Sequence, residues 1–180
     1  EMSDQERYQT VYAQHDGSVA APTAGLHFTD ALLERLKAKP VDLEFLTLHV
    51  GAGTFKPVKS DTLEGHEMHA EFIDVPLSLI ERLQQQDSGP IIPVGTTSCR
   101  TIESLYWMGV KALLHADAEI EQLEIKQWDA YELPQGFSRQ DALQGLRQWM
   151  LKKGVSRLIC RTQLLMSPLY QVRVADAIIT

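Results

Sequence analysis

The chain has 180 residues, of which 44% are hydrophobic and 23% are charged, an ordinary composition for one globular domain with a sizeable core. A net charge of −7 and a pI near 5.3 argue against a surface that binds nucleic acid mainly by bulk electrostatics. The sequence has no apolar run of membrane-spanning length and no signal peptide, so we expect a cytoplasmic protein. Cys99 and Cys160 lie far apart without metal-ligand spacing, which fits a reducing compartment.

The two ends of the sequence favour a piece of a longer polypeptide. The first residue is Glu1, and the chain stops at Thr180 directly after a strand-like run. We therefore expect one α/β domain over 1–180 that lacks part of its functional site and has little or no activity alone.

Two helices are predicted near the N-terminus. Apolar residues at helical spacing indicate a short helix within 4–13. Thr29 is a good N-cap for a second helix with one apolar stripe, which ends by Pro40; the stripe is formed by Leu32, Leu33 and Leu36.

From Val41 to Val50 the residues alternate at strand period, which places His49 at the C-terminal end of a strand. In α/β proteins ligands gather at the carboxyl ends of strands. This position makes His49 a candidate functional residue.

Two dense runs, Val19–Phe28 and Thr47–Phe55, combine histidine with glycine and threonine. Glycine allows positive φ and close approach of a ligand to the main chain, whereas Thr and His supply donors and acceptors. The alternative is that Gly and Pro only mark turns and that the histidines are structural. The candidate binding residues are Pro22, Thr23, Gly25, His27, His49, Gly51, Gly53 and Thr54.

The run G-H-E-M-H-A-E-F places His66 and His69 before a carboxylate, Glu71, and a predicted strand at 72–75. The spacing is His-x-x-His, not the His-x-x-x-His of a helical zinc site, and in a strand the two side chains would point to opposite faces. The pattern favours the polar rim of a pocket, or plain surface, over a metal site.

A third candidate site lies where a predicted strand, Ile91–Val94, runs into Gly95 and a hydroxyl-rich helix start. Free N–H groups at a helix start, with nearby hydroxyls, can bind a carboxylate or phosphate. The alternative is that Thr97 or Ser98 is only the N-cap. The guanidinium of Arg100 can form two hydrogen bonds to a bound carboxylate, or it can pair with Glu103. The candidate residues here are Thr96, Thr97, Ser98 and Arg100.

The other predicted elements are helices opened by Pro76 and by Ser138 and several strands. The Ser138 helix has Leu143, Leu146, Met150 and Leu151 inward and ends at Gly154. Predicted strands lie at 120–128, 155–160, 163–166 and 171–179. The aromatic residues Trp128, Tyr131 and Trp149 favour a core role over a base-stacking platform. Alternating helices and strands predict an α/β fold, a layered sheet with flanking helices.

Six motifs occur in the order of a known family. They are E-R-Y-Q-T-V-Y-A, A-A-P-T-A-G-L-H-F, T-L-H-V-G-A-G-T-F-x-P-V, H-x-M-H-x-E, V-G-T-T-S-x-R-T-x-E-S and R-T-Q-L-L-M-S-P-L-Y-Q-V-R-V-A-D-A-I-I-T. Together they closely resemble the S-adenosylmethionine:tRNA ribosyltransferase-isomerases of queuosine biosynthesis. The resemblance covers about 4–104 and 161–180, whereas 105–160 is longer and less typical.

The resemblance implies a transferase and isomerase of tRNA modification. In that family S-adenosylmethionine donates its ribosyl part to 7-aminomethyl-7-deazaguanine in tRNA, giving epoxyqueuosine, adenine and methionine. Such chemistry needs a base beside the sulfonium carbon and an acid for adenine, and no metal. His27, His49 and His69 are the candidate catalytic residues, His66 is assigned to substrate binding, and the sequence does not choose the base among the histidines.

The resemblance also implies a larger, two-domain protein whose β-barrel domain precedes Glu1 and whose N-F-H-x-P run would follow Thr180. The chain departs from the family at Cys99, where the family has a small residue, and at Ser167 to Tyr170, which lacks the glycine of Y-P-G-[FY]. The alternative is a non-catalytic relative, or a metal-dependent hydrolase-like domain that reuses His27, His49, His66 and His69. The sequence leaves the oligomeric state open.

A geometric prediction joins His27 and His49. If the run before His27 ends in a strand parallel to 41–50, a right-handed crossover brings both histidines to one edge of the sheet. We therefore expect them to share one pocket.

Overall fold

The structure is a computed structural model that describes residues 10–13, 23–49, 68–85 and 89–180. Its helices are a 3-10 helix at Thr23–His27, then α1 (Asp30–Lys37), α2 (Leu77–Gln84), α3 (Thr96–Leu114), α4 (Ile120–Leu123), α5 (Asp129–Glu132) and α6 (Arg139–Lys153). Its strands are β1 (Thr47–His49), β2 (Glu71–Pro76) and β3 (Arg157–Thr162). Most of the predicted helix at 4–13 and the candidate residues Pro22, Gly51, Gly53, Thr54 and His66 lie outside the described residues.

The strands form a three-stranded antiparallel sheet in the order β1-β2-β3. Strands β2 and β3 pair along their whole lengths, from Glu71 opposite Thr162 to Pro76 opposite Arg157. The prediction of a mixed α/β domain is confirmed. Its sheet is antiparallel over the described strands. The strand that the sequence placed before His27, parallel to 41–50, is not found in the described residues there, because Thr23–His27 is a 3-10 helix.

One face of the sheet packs against the helices. Burial alternates along β2, where Glu71, Ile73 and Val75 are buried and the residues between them are more exposed, and the same alternation occurs in β3. Helix α3 is the centre of this layer, with every residue from Thr101 to Val110 buried. The core therefore lies between the sheet, α2, α3 and α6.

Helices α3 and α6 approach each other closely at Gly109. A Cβ added there would lie 2.0 Å from the carbonyl oxygen of Ala142. Because no side chain fits in that space, glycine is required for the helices to pack at this distance.

The helix predictions at 30–37, 77–84 and 139–153 are confirmed, including two of the caps. The Oγ1 of Thr29 accepts a hydrogen bond from the N–H of Leu32 at 3.2 Å, and Ser138 caps α6 through the N–H of Asp141. Gly154 ends α6 in the left-handed conformation. Leu151 is the exception among the residues predicted to face inward, because it is half exposed.

Several predicted strands are wrong. Residues 41–46 form no strand, because β2 ends at Pro76, which has no N–H to continue the ladder. Residues 91–94 make a single parallel bridge from Val94 to Ile179, and 163–166 and most of 171–179 are irregular. The predicted strand at 120–128 instead begins with helix α4, whose capping box joins Glu119 and Gln122.

Among the described residues, no helix is both long enough and apolar enough to cross a membrane.

Candidate functional site

Two of the candidate histidines lie at the same end of the sheet. His49, the last residue of β1, is opposite Phe72 on β2. His69 comes two residues before β2 begins, and both histidine side chains are exposed. The antiparallel pairing therefore places the end of β1 beside the start of β2, with solvent access for both imidazoles.

An ion pair joins this end of the sheet to the start of α3. The Nη1 of Arg100 donates to Oε2 of Glu71 at 2.8 Å, and the Glu71 side chain is 1% exposed. The pairing with Glu103 that the sequence allowed is wrong. A guanidinium that donates to a buried carboxylate in this way has a fixed position.

Polar contacts behind the ion pair hold the same elements together. The hydroxyls of Ser104 and Thr162 share a buried hydrogen bond of 2.7 Å between α3 and β3. Just before β2, the backbone of Met68 is held at both its N–H and its C=O by the side chains of Gln127 and Gln163. The segment that carries His69 is therefore fixed although the imidazole itself is exposed.

The start of α3 is built around Gly95. Its φ of +90° is a conformation that favours glycine, and it is the N-cap residue, so the predicted capping by Thr97 or Ser98 is wrong. The cap makes no side-chain hydrogen bond. Thr96 is exposed, while Thr97 and Ser98 are half-buried. The first turn of α3, where the sequence predicts an anion site, therefore has one exposed and two half-buried hydroxyl residues.

The 3-10 helix Thr23–His27 packs beside this turn. A Cβ built on Gly95 would lie 3.7 Å from the Cβ of Ala24. Gly25 allows the approach of the preceding segment, since a Cβ there would lie 2.1 Å from the Tyr12 hydroxyl. Thr23 and His27 are exposed. The first dense run and the G-T-T-S run, far apart in sequence, are therefore neighbours.

A cavity of about 720 Å³ opens next to these residues. Phe28, Leu33, Ser98 and Ile102 line it, together with 40–46 and 89–94. Its volume is in the range of small-molecule sites. Phe28 follows His27 directly, so one wall of the cavity comes from the first dense run and another from the start of α3.

The comparisons with known proteins identify the family of this sequence. A family model described as queuosine biosynthesis protein matches residues 1–180. The chain belongs to this family. It is 55% identical over 106 residues to proteins named S-adenosylmethionine:tRNA ribosyltransferase-isomerase from Francisella tularensis subsp. novicida (strain U112) and subsp. mediasiatica (strain FSC147). The match covers 58% of this chain and 31% of each relative. No solved structure matches the chain.

The geometric premise for a shared pocket of His27 and His49 in this queuosine biosynthesis protein is wrong. His27 ends a 3-10 helix that no described strand precedes, and β1 is antiparallel to β2. Within the described residues no parallel crossover joins the two histidines, and their convergence stays a prediction. Within the described ranges, no group of three or more His, Cys, Asp or Glu side chains has metal-binding geometry.

Glu103 is a residue whose importance the sequence analysis missed. Its buried carboxylate accepts hydrogen bonds from the hydroxyl of Tyr170 and from the N–H groups of Arg173, Val174 and Ala175, all at 2.8 to 2.9 Å. Burial, followed by the charge of Glu103, raises the pKa of the Tyr170 hydroxyl. The signal was available, because an acidic residue on the apolar side of a helix needs buried donors.

Cys99, beside Arg100, is not an activated nucleophile. Burial, with a smaller contribution from the charge of Glu103, raises the pKa of its thiol to about 11. The thiol is therefore protonated at neutral pH, and its place in the motif reflects packing.

Proposed function

We propose that the protein carrying this chain is a cytoplasmic tRNA ribosyltransferase-isomerase. It would transfer the ribosyl part of S-adenosylmethionine to 7-aminomethyl-7-deazaguanine in tRNA, forming epoxyqueuosine and releasing adenine and methionine. The relatives that bear this name support the proposal, although the matched stretch is less than a third of their length. The family match gives no support to the alternative of a metal-dependent hydrolase.

The observation that carries the proposal is the Glu71–Arg100 ion pair. It joins the H-x-M-H-x-E motif to the V-G-T-T-S-x-R-T motif at the end of the sheet that also holds His49 and His69. Motifs that a reaction uses together must meet in space, and here the backbone, an ion pair and two glutamines hold them.

The chemistry suits these side chains. One imidazole can take the proton from the carbon next to the sulfonium, and a second can protonate adenine as it leaves. The first turn of α3, with Thr96, Thr97, Ser98 and Arg100, is proposed to bind the methionine carboxylate or a tRNA phosphate. The cavity lined by Phe28 and Ser98 is large enough for S-adenosylmethionine.

The catalytic assignment is tested by adenine release from S-adenosylmethionine and precursor tRNA, measured on the full protein. We expect His49→Ala, His69→Ala or His27→Ala to lower turnover by about 10²-fold where the imidazole acts as acid or base. All three side chains are exposed, so the melting temperature should not change. His115→Ala is the matched control, because His115 is an exposed histidine at the opposite end of α3. If none of the three variants loses more activity than the control, the assignment is wrong.

The anion site is tested separately by Arg100→Ala. We expect weaker apparent affinity for S-adenosylmethionine or for tRNA, with Arg100→Lys intermediate because it keeps the charge without the planar fork. Calorimetry with each substrate decides the question. Unchanged affinity for both would refute a binding role for Arg100 and leave it as the partner of Glu71.

A further inference from the structure

A second, smaller pocket lies away from the end of the sheet, between α3, α5 and the C-terminal segment. Its volume is about 250 Å³. Its walls include the rings of Trp107, Tyr131 and Tyr170, and its polar groups include Gln135 and Arg173. Part of it comes from 105–160, the segment that the family motifs do not cover.

Arg173 is a cation without a carboxylate partner among the described residues. Its guanidinium lies 5.7 Å from the ring centroid of Tyr106 and 5.6 Å from that of Trp107. One terminal nitrogen donates to Oε1 of Gln135, and the buried Nε has no hydrogen-bond partner. A guanidinium held against aromatic rings has a fixed position, and its terminal N–H groups that Gln135 does not use can donate to an acceptor on a ligand.

The aromatic walls are fixed before any ligand binds. The Tyr170 hydroxyl donates to Glu103 and accepts from the indole N–H of Trp107, at 2.8 and 2.9 Å. The Tyr131 hydroxyl lies 3.0 Å from the carbonyl oxygen of Leu165, to which it donates. The Tyr131 and Tyr170 rings are 6.3 Å apart at 76°. Because each hydroxyl is held, the rings present surfaces of fixed orientation.

We propose that this pocket binds a single heteroaromatic nucleobase. Unstacked bases bind on aromatic side chains and guanidinium planes, and their edges accept hydrogen bonds from Arg and Gln side chains. The volume is below the range of sites for drug-sized ligands, so it suits one ring system better than a complete S-adenosylmethionine. The fixed aromatic rings would stack against the face of the base. Arg173, which has no carboxylate partner among the described residues, would donate to its edge.

The two sources of such a base, an extruded nucleotide of RNA or the adenine of S-adenosylmethionine, rest on the proposed function. The binding of the base rests only on the geometry of the pocket. The experiments below therefore measure base binding first and assign the source second.

The first experiment titrates the full protein with adenosine, guanosine, cytidine and uridine by calorimetry. We expect saturable binding of at least one nucleoside that weakens about 5- to 150-fold in Tyr131→Leu and in Arg173→Met, the range for loss of base–aromatic stacking. Tyr131→Phe keeps the ring and should bind more tightly than Tyr131→Leu. Lys152→Gln removes an exposed cation elsewhere and should bind as the parent protein does.

Ribose 5-phosphate tests for a simple anion site. If it binds as tightly as the nucleosides and is lost in Arg173→Met, the pocket recognises anions and the proposal is overturned. The proposal is also overturned if no nucleoside binds, or if Tyr131→Leu and Arg173→Met, shown to be folded by their melting temperatures, bind nucleosides like the parent.

The source is assigned by repeating the titration with a short single-stranded RNA and with S-adenosylmethionine. An RNA source predicts that Tyr131→Leu weakens RNA binding and leaves S-adenosylmethionine binding unchanged, and an S-adenosylmethionine source predicts the reverse. Adenine release is measured on the same preparations. A protein that binds nucleosides here but releases no adenine would refute the proposed function and keep the pocket assignment, whereas the converse would refute only the pocket assignment.

Discussion

The segment that is richest in motifs and the segment that forms the core are different parts of this chain. In the described part of 23–49, Ala24 and Gly25 are the buried residues, and helix α1 buries none. In 96–165, by contrast, helix α3 has a continuous buried stretch and α6 buries six residues. Both regions contain amphipathic helices, so periodicity identified the helices without showing which of them lie in the core.

The difference follows from what each helix packs against. Helix α6 lies on α3 and α2, and α3 lies on the sheet, so the apolar side of each is covered. Helix α1 is held at its start by the Thr29 cap and by an exposed pair between Lys37 and Glu34. Local capping is thus sufficient to define a helix at the surface, whereas stability is expected to come from the second region.

The sharpest test of this contrast replaces one leucine in each region. Leu143 in α6 is fully buried, so Leu143→Ala should cost about 4 kcal/mol of unfolding free energy. Leu36 in α1 is only half-buried, so Leu36→Ala should cost less than about 1 kcal/mol. Urea unfolding of both variants measures the difference. Equal costs would show that the contrast is false.

The second-largest loss of unfolding free energy is expected at the contact between α3 and α6. Gly109→Ala puts a methyl group against the backbone of Ala142, which must move, so we expect a loss of about 3 kcal/mol despite the better helix propensity of alanine. Gly136→Ala is the control, because a Cβ there meets no atom within 4 Å. A Gly109→Ala variant as stable as the control would mean that the helices can separate at little cost.

Removing the charge of Glu103 should cost about 2 kcal/mol, since an amide cannot accept all four hydrogen bonds. We expect Glu103→Gln to speed hydrogen exchange at the amides of Arg173, Val174 and Ala175. Glu132→Gln, on the exposed side of α5, is the control. Unchanged exchange at those amides would show that another contact holds the C-terminal segment.

The smallest effect is a loss of stability at alkaline pH. Burial raises the pKa of the Cys160 thiol to about 12, above its ordinary value of 9.0. The unfolded thiol therefore loses its proton first, and stability is complete below pH 9 and falls as the pH rises toward 12. Between pH 8 and 10 this group should account for about 1 kcal/mol of lost unfolding free energy. In Cys160→Ala the decline should be smaller by that amount, and an identical decline would exclude the thiol as its cause.

The elements that could be predicted from sequence are those with local signals. Helices α1, α2 and α6 carry caps or an opening proline, and β2 and the start of β3 carry short apolar runs. The limits of the strands could not be predicted, because a strand requires a partner. The sequence predicts a strand at 171–179, yet the N–H groups of 173–175 bond to Glu103, a residue about seventy positions away.

The sequence predicted which residues belong to the candidate site, but it did not predict which of them contact each other. The motifs contain His49, His69, Glu71 and Arg100. Which carboxylate pairs with Arg100, however, depends on how β2 packs against α3, and this brings Glu71 to it. Spacing along one helix allowed Glu103 as an equal alternative to a bound carboxylate. Burial of both carboxylates, Glu71 at the sheet and Glu103 on α3, decided which donors each one binds.

The position of β2 between its two partners has a consequence for the order of folding. All of the described helices from α2 to α6 lie between β2 and β3 in sequence, so the β2–β3 ladder closes a long loop. We expect α3 and α6 to pair before that ladder forms. Leu146→Ala in α6 should then slow refolding, whereas Leu158→Ala in β3 should mainly speed unfolding, and stopped-flow kinetics that show the opposite pattern would reverse the order. On this pathway the strand that carries Glu71 is locked in place last, so the candidate site would be completed only when folding is nearly finished.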